Sequence, residues 1–249
     1  MLQTLLILAI AWVAIVLLVY AIIRFPLSNG PSRNPMDGFL WYVTKLFAGV
    51  LHPPKVVGRD RWPDRDALPD GLIVIANHTG AVDPLLLQAI TVLHIRWMMS
   101  EDMMFERLNP LWKQQRIISV DRVNGDSSAL RTGIRHVREG GVLGIFPEGR
   151  IVSPPGEIRP FAPGVGMIVA RTKAPVVMCW ISNTRPSTTI AGSLWRPSRP
   201  HIEIFGEIEL TDRKKPKVIT QELREIMADR TGWPLNDEEL PPLEITATA

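Results

Sequence analysis

A histidine and an aspartate stand five residues apart just after an apolar segment of strand length, Leu72–Ala76. Pro84 follows the aspartate and suits the first turn of a helix, which places His78 and Asp83 in a predicted strand-to-helix turn. Such a turn holds an imidazole and a carboxylate together at the carboxyl edge of a sheet. There the histidine can remove a proton from a hydroxyl group while the acid orients and stabilises its ring. The alternatives are a helix N-cap for Asp83 and a satisfied core position for His78.

A second group of polar residues comes after another apolar segment, Val142–Ile145, and reads Phe-Pro-Glu-Gly-Arg. Its polar members Glu148, Gly149 and Arg150 are predicted to lie at the same carboxyl edge, where open α/β sheets bind ligands. The alternative is an ordinary strand-to-loop transition that carries solvated charges.

Arg122 closes a third segment, Ile-Ile-Ser-Val-Asp-Arg at 117–122. A guanidinium can hold phosphate oxygens in two places because its planar fork presents two parallel donors. This arginine is therefore a candidate ligand for a phosphate group. A surface ion pair with Asp121 is the alternative.

In order and approximate spacing, these three blocks and the segment Ala-Pro-Val-Val at 174–177 resemble the glycerolipid acyltransferase family, typified by 1-acyl-glycerol-3-phosphate acyltransferases. The resemblance covers residues from about 55 to about 210. It implies that His78 is the general base on the acceptor hydroxyl and that Asp83 stabilises the imidazolium. It also implies direct attack on a thioester without an acyl-enzyme, and no serine or cysteine lies in a nucleophile-elbow pattern here.

The resemblance assigns Arg122, Glu148, Gly149 and Arg150 to binding of the acceptor's glycerol and phosphate portion. The sequence departs from the usual family pattern in two places. Arg150 directly follows Gly149, where threonine commonly intervenes, and Arg116 stands where glycine is usual. The shorter block is similar to the branch that acts on 2-acyl-glycerophosphoethanolamine and its relatives, which leaves the acceptor head group open.

The implied reaction moves a fatty acyl group from acyl-CoA or acyl carrier protein to the free hydroxyl of 1-acyl-glycerol-3-phosphate, forming phosphatidic acid. No bound cofactor or metal is implied, and none of the five histidines has a partner at metal-ligand spacing. Three alternatives remain: another lysophospholipid acceptor, such as lysophosphatidylethanolamine or an amino-acid lyso-lipid; a membrane-bound thioesterase; and a lipid-binding relative without turnover.

Composition limits the partners. The 249 residues are 46 % hydrophobic and 21 % charged, which argues against a disordered chain. The net charge of +3 suits anionic lipid or phosphorylated substrates. Nucleic acid is disfavoured because no long Lys/Arg run with interleaved aromatics occurs. The single cysteine, Cys179, excludes an intrachain disulfide framework and is expected to be buried in a strand.

The patterning divides the chain into four regions. Residues 1–24 are predicted to be a transmembrane helix, because residues 2–23 contain no charged side chain. Arg24 and Arg33 place the remainder of the chain on the cytoplasmic side. Residues 25–54 form a linker and a helix that lies either along the membrane or in the core. Residues 55–232 form the acyltransferase domain, and 233–249 a flexible tail.

Within the domain, apolar segments of strand length alternate with amphipathic segments of helix length. Strands are predicted at 55–58, 72–76, 95–99, 117–120, 142–146, 176–181 and 201–205. Helices are predicted at 84–93, 127–139, 164–172 and 217–231. This alternation predicts an α/β fold with a largely parallel sheet covered by helices on both faces.

Overall fold

The computed structural model describes residues 12–15, 30–32, 34–64, 68, 71–121, 127–152, 155–187, 189–211 and 214–238. Within these residues, seven strands form one sheet. They are β1 (Lys55–Val57), β2 (Leu72–Ala76), β3 (Ile95–Ser100), β4 (Ile118–Val120), β5 (Val142–Ile145), β6 (Val176–Ser182) and β7 (His201–Glu207). Every predicted strand is present, and the predicted and observed ends differ by at most two residues. The largest difference is at the end of β7, which extends to Glu207.

The sheet has the order β1-β7-β6-β2-β5-β3-β4. Strands β2 to β6 are mutually parallel, so their carboxyl ends meet at one edge of the sheet. β7 runs antiparallel to β6 and parallel to β1. The α/β fold with a mostly parallel sheet is therefore confirmed.

The described helices of at least six residues are α1 (Pro35–Leu51), α2 (Asp83–Ile90), α3 (Asn109–Gln114), α4 (Ser127–Arg138), α5 (Pro163–Thr172), α6 (Ile190–Trp195) and α7 (Pro216–Thr231). Proline occupies the first turn of five of them, α1, α2, α3, α5 and α7, where its missing N–H costs nothing. The predicted helices are confirmed within about three residues. The short helices α3 and α6 were not predicted, because six residues carry too little periodicity to interpret.

Helices cover the sheet on both faces. Alternate residues of β2 point to opposite sides, so that Ile73 and Ile75 enter one buried cluster while Leu72 and Val74 enter the other. The first cluster contains residues of α4, α5 and α7. The second contains residues of α1 and α2. The sheet therefore separates the face that carries α4 from the face that carries α1.

Helix α1 packs on the domain through one side only. Trp41 donates its indole N–H to the backbone oxygens of Gln88 (3.1 Å) and Thr91 (2.9 Å), and Ala48 is buried. The other side leaves large apolar side chains in solvent: Met36, Phe39, Tyr42, Val43, Leu46 and Val50. The helix is thus neither a core helix nor free of the domain, and these six large apolar side chains stay exposed in the described part of the chain.

The predicted transmembrane helix lies outside the described residues, except that 12–15 are helical. None of the helices in the described part of the chain combines the length and hydropathy needed to cross a bilayer. At the other end, the predicted flexibility of the tail does not extend to its first residues. Leu235 pairs with Ile158, and the buried Arg224 donates to the backbone oxygen of Asn236 (2.9 Å) and to Asp237 (2.6 Å).

Candidate active site

Asn77 fixes the turn that comes after β2. Its side-chain amide donates to the backbone oxygen of Ile181 (2.8 Å) and accepts from the backbone N–H of the same residue (2.7 Å). The side chain thereby continues the hydrogen-bonding pattern between β2 and β6 one residue beyond β2. This contact holds the start of the turn rigidly against the sheet, and His78 is the next residue.

Asp83 is fully buried and collects the donors of the turn. Its Oδ2 accepts the backbone N–H groups of Thr79 (2.6 Å) and Gly80 (2.8 Å). The Thr79 hydroxyl lies 3.3 Å from Oδ1 and in turn accepts the hydroxyl of Thr184 (2.8 Å). Asp83 is thus not the helix N-cap, because it binds amides that precede it while Val82 occupies that position. The carboxylate organises the loop upstream of α2.

His78 is held by the same carboxylate. Its Nδ1 lies 3.0 Å from Oδ2 of Asp83, so Nδ1 carries the hydrogen and Nε2 is left as the acceptor when the ring is neutral. Nε2 makes no hydrogen bond with any residue that the structure describes. The side chain of His78 is 16 % exposed, whereas that of Asp83 is wholly buried. The ring therefore reaches solvent from a buried anchor, which is the geometry a general base needs.

Three aromatic rings stack in a row. The His78 imidazole lies 4.1 Å from the Phe146 ring at an interplanar angle of 14°, and Phe146 lies 4.8 Å from Trp97 at 8°. Gly144 makes this possible, because a Cβ at that position would meet the Trp97 ring at 2.4 Å. The stack fixes the plane of the imidazole, and the Asp83 contact fixes its rotation within that plane.

The loop after β5 is tied to the histidine turn. The backbone N–H of Val152 donates to the backbone oxygen of His78 (2.8 Å), which brings the loop 146–152 alongside the catalytic candidates. Gly149 has a φ of 70°, a left-handed conformation that glycine adopts without strain. The structure thus joins the two predicted groups, His78 with Asp83 and Glu148 with Gly149, at one edge of the sheet.

Glu148 differs from every other acid near the site. Both carboxyl oxygens are buried, and neither forms a hydrogen bond within the described residues. Burial raises the pKa of Glu148 from 4.5 to about 8. The His78 backbone N–H opposes this rise without meeting hydrogen-bond geometry, and Asp83 adds to it. The carboxyl group of Glu148 is therefore mostly protonated at neutral pH.

The predicted arginines are only partly accounted for. Arg122 lies outside the described residues. Arg150 is half-buried and lies two residues from Val152, hence on the loop beside His78. Arg116 has a φ of 53°, so a left-handed backbone is needed where the family usually has glycine. Arg116 precedes β4, at the edge of the sheet opposite the histidine turn, and is not part of this site.

Cys179 is buried in β6 as expected, and burial raises the pKa of its thiol well above the usual range. It is therefore not an available nucleophile. In the part of the chain that the structure describes, no three His, Cys, Asp or Glu side chains form a group that could hold a metal ion.

Sequence reasoning missed the supporting side chains. Phe146 belongs to a predicted motif but had no predicted role, and the residue types around Trp97 favoured core packing over an acyl-chain groove. Thr79 and Thr184 carried no signal, because their hydroxyls meet only after β2 and β6 pair. The alignment of Trp97 with Gly144 across β3 and β5 would have been the one recognisable sign of the stack.

Comparisons with known proteins agree with this geometry. A family model described as Acyltransferase matches residues 55–182. The chain is 30 % identical over 109 residues to a 1-acyl-sn-glycerol-3-phosphate acyltransferase of Bacillus subtilis (strain 168), which is 43 % of this chain and 53 %, about half, of that relative. The crystal structure of the 1-acyl-sn-glycerophosphate (LPA) acyltransferase PlsC from Thermotoga maritima shares the fold. It has a TM-score of 0.56 at 19 % identity, over 90 % of this chain and 95 % of that one. This chain belongs to the acyltransferase family of enzymes.

Proposed function

We propose that this protein transfers a fatty acyl group from an acyl thioester to the free hydroxyl of 1-acyl-glycerol-3-phosphate, forming phosphatidic acid. The observation that carries the proposal is the His78–Asp83 contact of 3.0 Å at the carboxyl edge of the sheet. Membership of the acyltransferase family supports the reaction type. The name of the Bacillus subtilis relative supports the acceptor.

In the proposed mechanism, Nε2 of His78 removes the proton of the acceptor hydroxyl as its oxygen attacks the thioester carbonyl carbon. Asp83 keeps the hydrogen on Nδ1 and stabilises the imidazolium that forms. The tetrahedral intermediate collapses by breaking the carbon–sulfur bond. The departing thiolate then takes the proton from the imidazolium, which returns His78 to its neutral form. No cofactor or metal enters these steps, and acyl-CoA or acyl carrier protein acts as the donor substrate.

Glu148, Gly149, Arg150 and Arg122 are proposed to bind the glycerol and phosphate portion of the acceptor. A buried carboxyl that is protonated at neutral pH can donate a hydrogen bond to an acceptor oxygen, and the carboxyl group of Glu148 donates to none of the described residues. Arg150 supplies positive charge on the same loop. Gly149 lets that loop turn back toward His78.

The membrane is the proposed partner of α1. The apolar side chains of Phe39, Leu46 and Val50 are at least half exposed, and Trp195 adjoins the helix through an edge contact with Phe47. Such a face lies in the headgroup region of a bilayer in amphipathic surface helices. A bilayer there concentrates the lysophospholipid beside the active site. We place the domain on the cytoplasmic side, from the positive residues after the apolar segment 2–23.

A second acceptor is favoured by one specific observation. Arg150 directly follows Gly149, without the threonine that the commonest pattern has between them. The same loop binds the phosphate in the proposed mechanism, so a shorter loop can admit a larger head group. Lysophosphatidylethanolamine and amino-acid lyso-lipids are the candidates.

The test is a panel of lysolipids supplied with labelled acyl-CoA and acyl carrier protein, using membranes that contain the full chain. Labelled phosphatidic acid as the main product supports the proposal. Labelled phosphatidylethanolamine or amino-acid lipid supports the second acceptor. Release of free fatty acid without any lipid product identifies a thioesterase, and tight lysolipid binding without turnover from any donor identifies a binding protein. Either of the last two results overturns acyl transfer.

A further inference from the structure

A groove lined by arginines lies between α4 and α5, away from the active site. Its lining residues, here called the arginine groove, are Arg131, Ile134, Arg135, Arg138, Glu139 and Arg171, and its volume is about 460 Å³. The four arginines are exposed. Arg138 donates to the backbone oxygen of Arg171 (2.7 Å), which joins the two helices at one end of the groove.

The positive charge of the groove is not neutralised locally. Arg131, Arg135 and Arg138 succeed each other at spacings of four and three, so they share one side of α4. None of the four arginines forms an ion pair with any described residue. Glu139, the one acid that lines the groove, forms none either. Like charges at this spacing repel each other, and Arg135 and Arg138 are offset in part by the helix dipole because they lie in the last turn of α4.

The positive region continues beyond the groove. Arg96 lies at the start of β3, and Arg116 precedes β4 on the same side of the molecule. Burial lowers the pKa of the Arg96 guanidinium, the charges of Arg116 and Arg135 lower it further, and Glu139 opposes them with a smaller effect. Arg135 is therefore close enough to both strands for the groove and the strand ends to form one positive surface.

The groove faces away from the apolar side of α1. α4 and α5 pack on one face of the sheet, and α1 packs on the other. A bilayer in contact with α1 would leave the arginines in the aqueous phase. An anionic partner of this surface must therefore be soluble.

We propose that the arginine groove docks the acidic protein that carries the acyl chain, an acyl carrier protein, and this proposal rests on the acyl transfer proposed above. The three arginines of α4 span about 10 Å of helix axis, which matches a row of carboxylates on a protein surface better than a single phosphate cluster. The arginines of α4 lie toward the edge of the sheet opposite His78, while α4 itself begins at the carboxyl edge, where His78 lies. The flexible arm of a carrier lets its body dock on the side of the domain while the thioester reaches that edge.

The test compares two donors on one enzyme. The variant Arg131→Glu/Arg135→Glu is expected to raise KM for acyl carrier protein by about tenfold or more at low salt. The reason is that surface charges act mainly on the rate at which the two proteins associate. Its kcat/KM with acyl-CoA should stay within twofold of wild type, since this donor does not need the groove. The matched control is Lys55→Glu/Arg59→Glu, which makes the same change in net charge on exposed residues at the far edge of the sheet.

Several results would overturn the proposal. One is an equal loss of kcat/KM with both donors in the groove variant. If this variant also loses binding to anionic phosphatidylglycerol vesicles, the occupant of the groove is the bilayer. Another is equal behaviour of the groove variant and the control. Failure of the carrier to serve as donor or to bind the wild-type protein is a third. If neither donor supports transfer, the proposed function fails, and the groove is tested separately by fluorescence anisotropy of labelled holo-carrier. Binding to wild type and the control, but not to the groove variant, still supports docking.

Discussion

Two buried carboxyl groups lie on neighbouring turns of this protein, and their surroundings are opposite. Asp83 accepts two backbone N–H groups and the imidazole of His78. Glu148 has no hydrogen bond on either oxygen within the described residues. Both come after parallel strands that pair with each other, β2 and β5. The difference therefore comes from the turns and not from depth in the fold.

This difference indicates that the two carboxyl groups have different roles. A carboxylate with its donors supplied by the backbone is positioned before any substrate arrives, so Asp83 can orient His78 at all times. A protonated carboxyl without a partner costs stability, and it is ready for a partner that arrives with the substrate. We infer that Asp83 serves the base and Glu148 serves the acceptor.

The largest effect is expected from the residue that both acids surround. His78→Ala removes the proposed base, and kcat should fall by about 100- to 10,000-fold. The fold should remain, because the ring makes one hydrogen bond and one stacking contact. Activity assays with circular dichroism as a folding control provide the check. Wild-type activity in this variant would show that His78 is not the base. The two acids would then have no catalytic roles to compare.

Asp83→Asn should come next, with a loss of about 100-fold in kcat and a lower Tm. An amide in place of the carboxylate directs an N–H toward donors, and a buried unsatisfied donor costs about 1–3 kcal/mol. The matched variant is Glu148→Gln, which makes the same exchange at a carboxyl group that has no hydrogen bond to any described residue. If both variants lose the same stability, the contrast between the two carboxyls does not hold.

Phe146→Leu tests the other restraint on His78. Removing the stacked ring should lower kcat about tenfold with KM nearly unchanged, because aromatic contacts of this kind contribute about 0.5–1.5 kcal/mol. Phe146→Tyr keeps the ring and should retain most activity. A change confined to KM in the leucine variant would indicate substrate contact instead of positioning.

The pH dependence of stability tests the protonation of Glu148 directly. The pKa of Glu148 is 4.5 in an ordinary setting and about 8 in the folded protein. Between these values the folded state keeps a proton that the unfolded state has lost, so this group lowers stability as pH rises. The Tm of Glu148→Gln minus the Tm of wild type should therefore increase from pH 5 to pH 8 and stay constant above pH 8. A difference in Tm that is constant with pH would contradict a buried, protonated Glu148.

Much of the fold was predictable, for a local reason. Each strand of the parallel sheet is a short apolar segment bounded by Gly, Pro or polar residues, and β2 and β5 were predicted nearly residue for residue. The exceptions are the short helices and the direction of β7. Whether a strand runs parallel or antiparallel depends on its partner, and the sequence of residues 201–207 does not identify that partner.

The candidate site was predictable in its main members and not in its support. His78, Asp83 and Glu148 each come after an apolar segment, so their meeting at one edge could be inferred. The helix N-cap interpretation of Asp83 was wrong, because only the folded turn shows that its oxygens face Thr79 and Gly80. The roles of Arg122 and Arg150 in binding the acceptor stay predictions.

The order of residue types along the chain by itself determined the alternation of strands and helices, the family and the histidine–aspartate pair, because these depend on neighbours in sequence. Only the tertiary structure decided that Asp83 is saturated with donors while Glu148 has none among the residues that the structure describes. It also decided that His78 stacks on Phe146 and that the arginines of α4 face away from the apolar side of α1. Hydrogen bonds, burial and stacking depend on groups from distant segments, and the chain brings those together only when it folds.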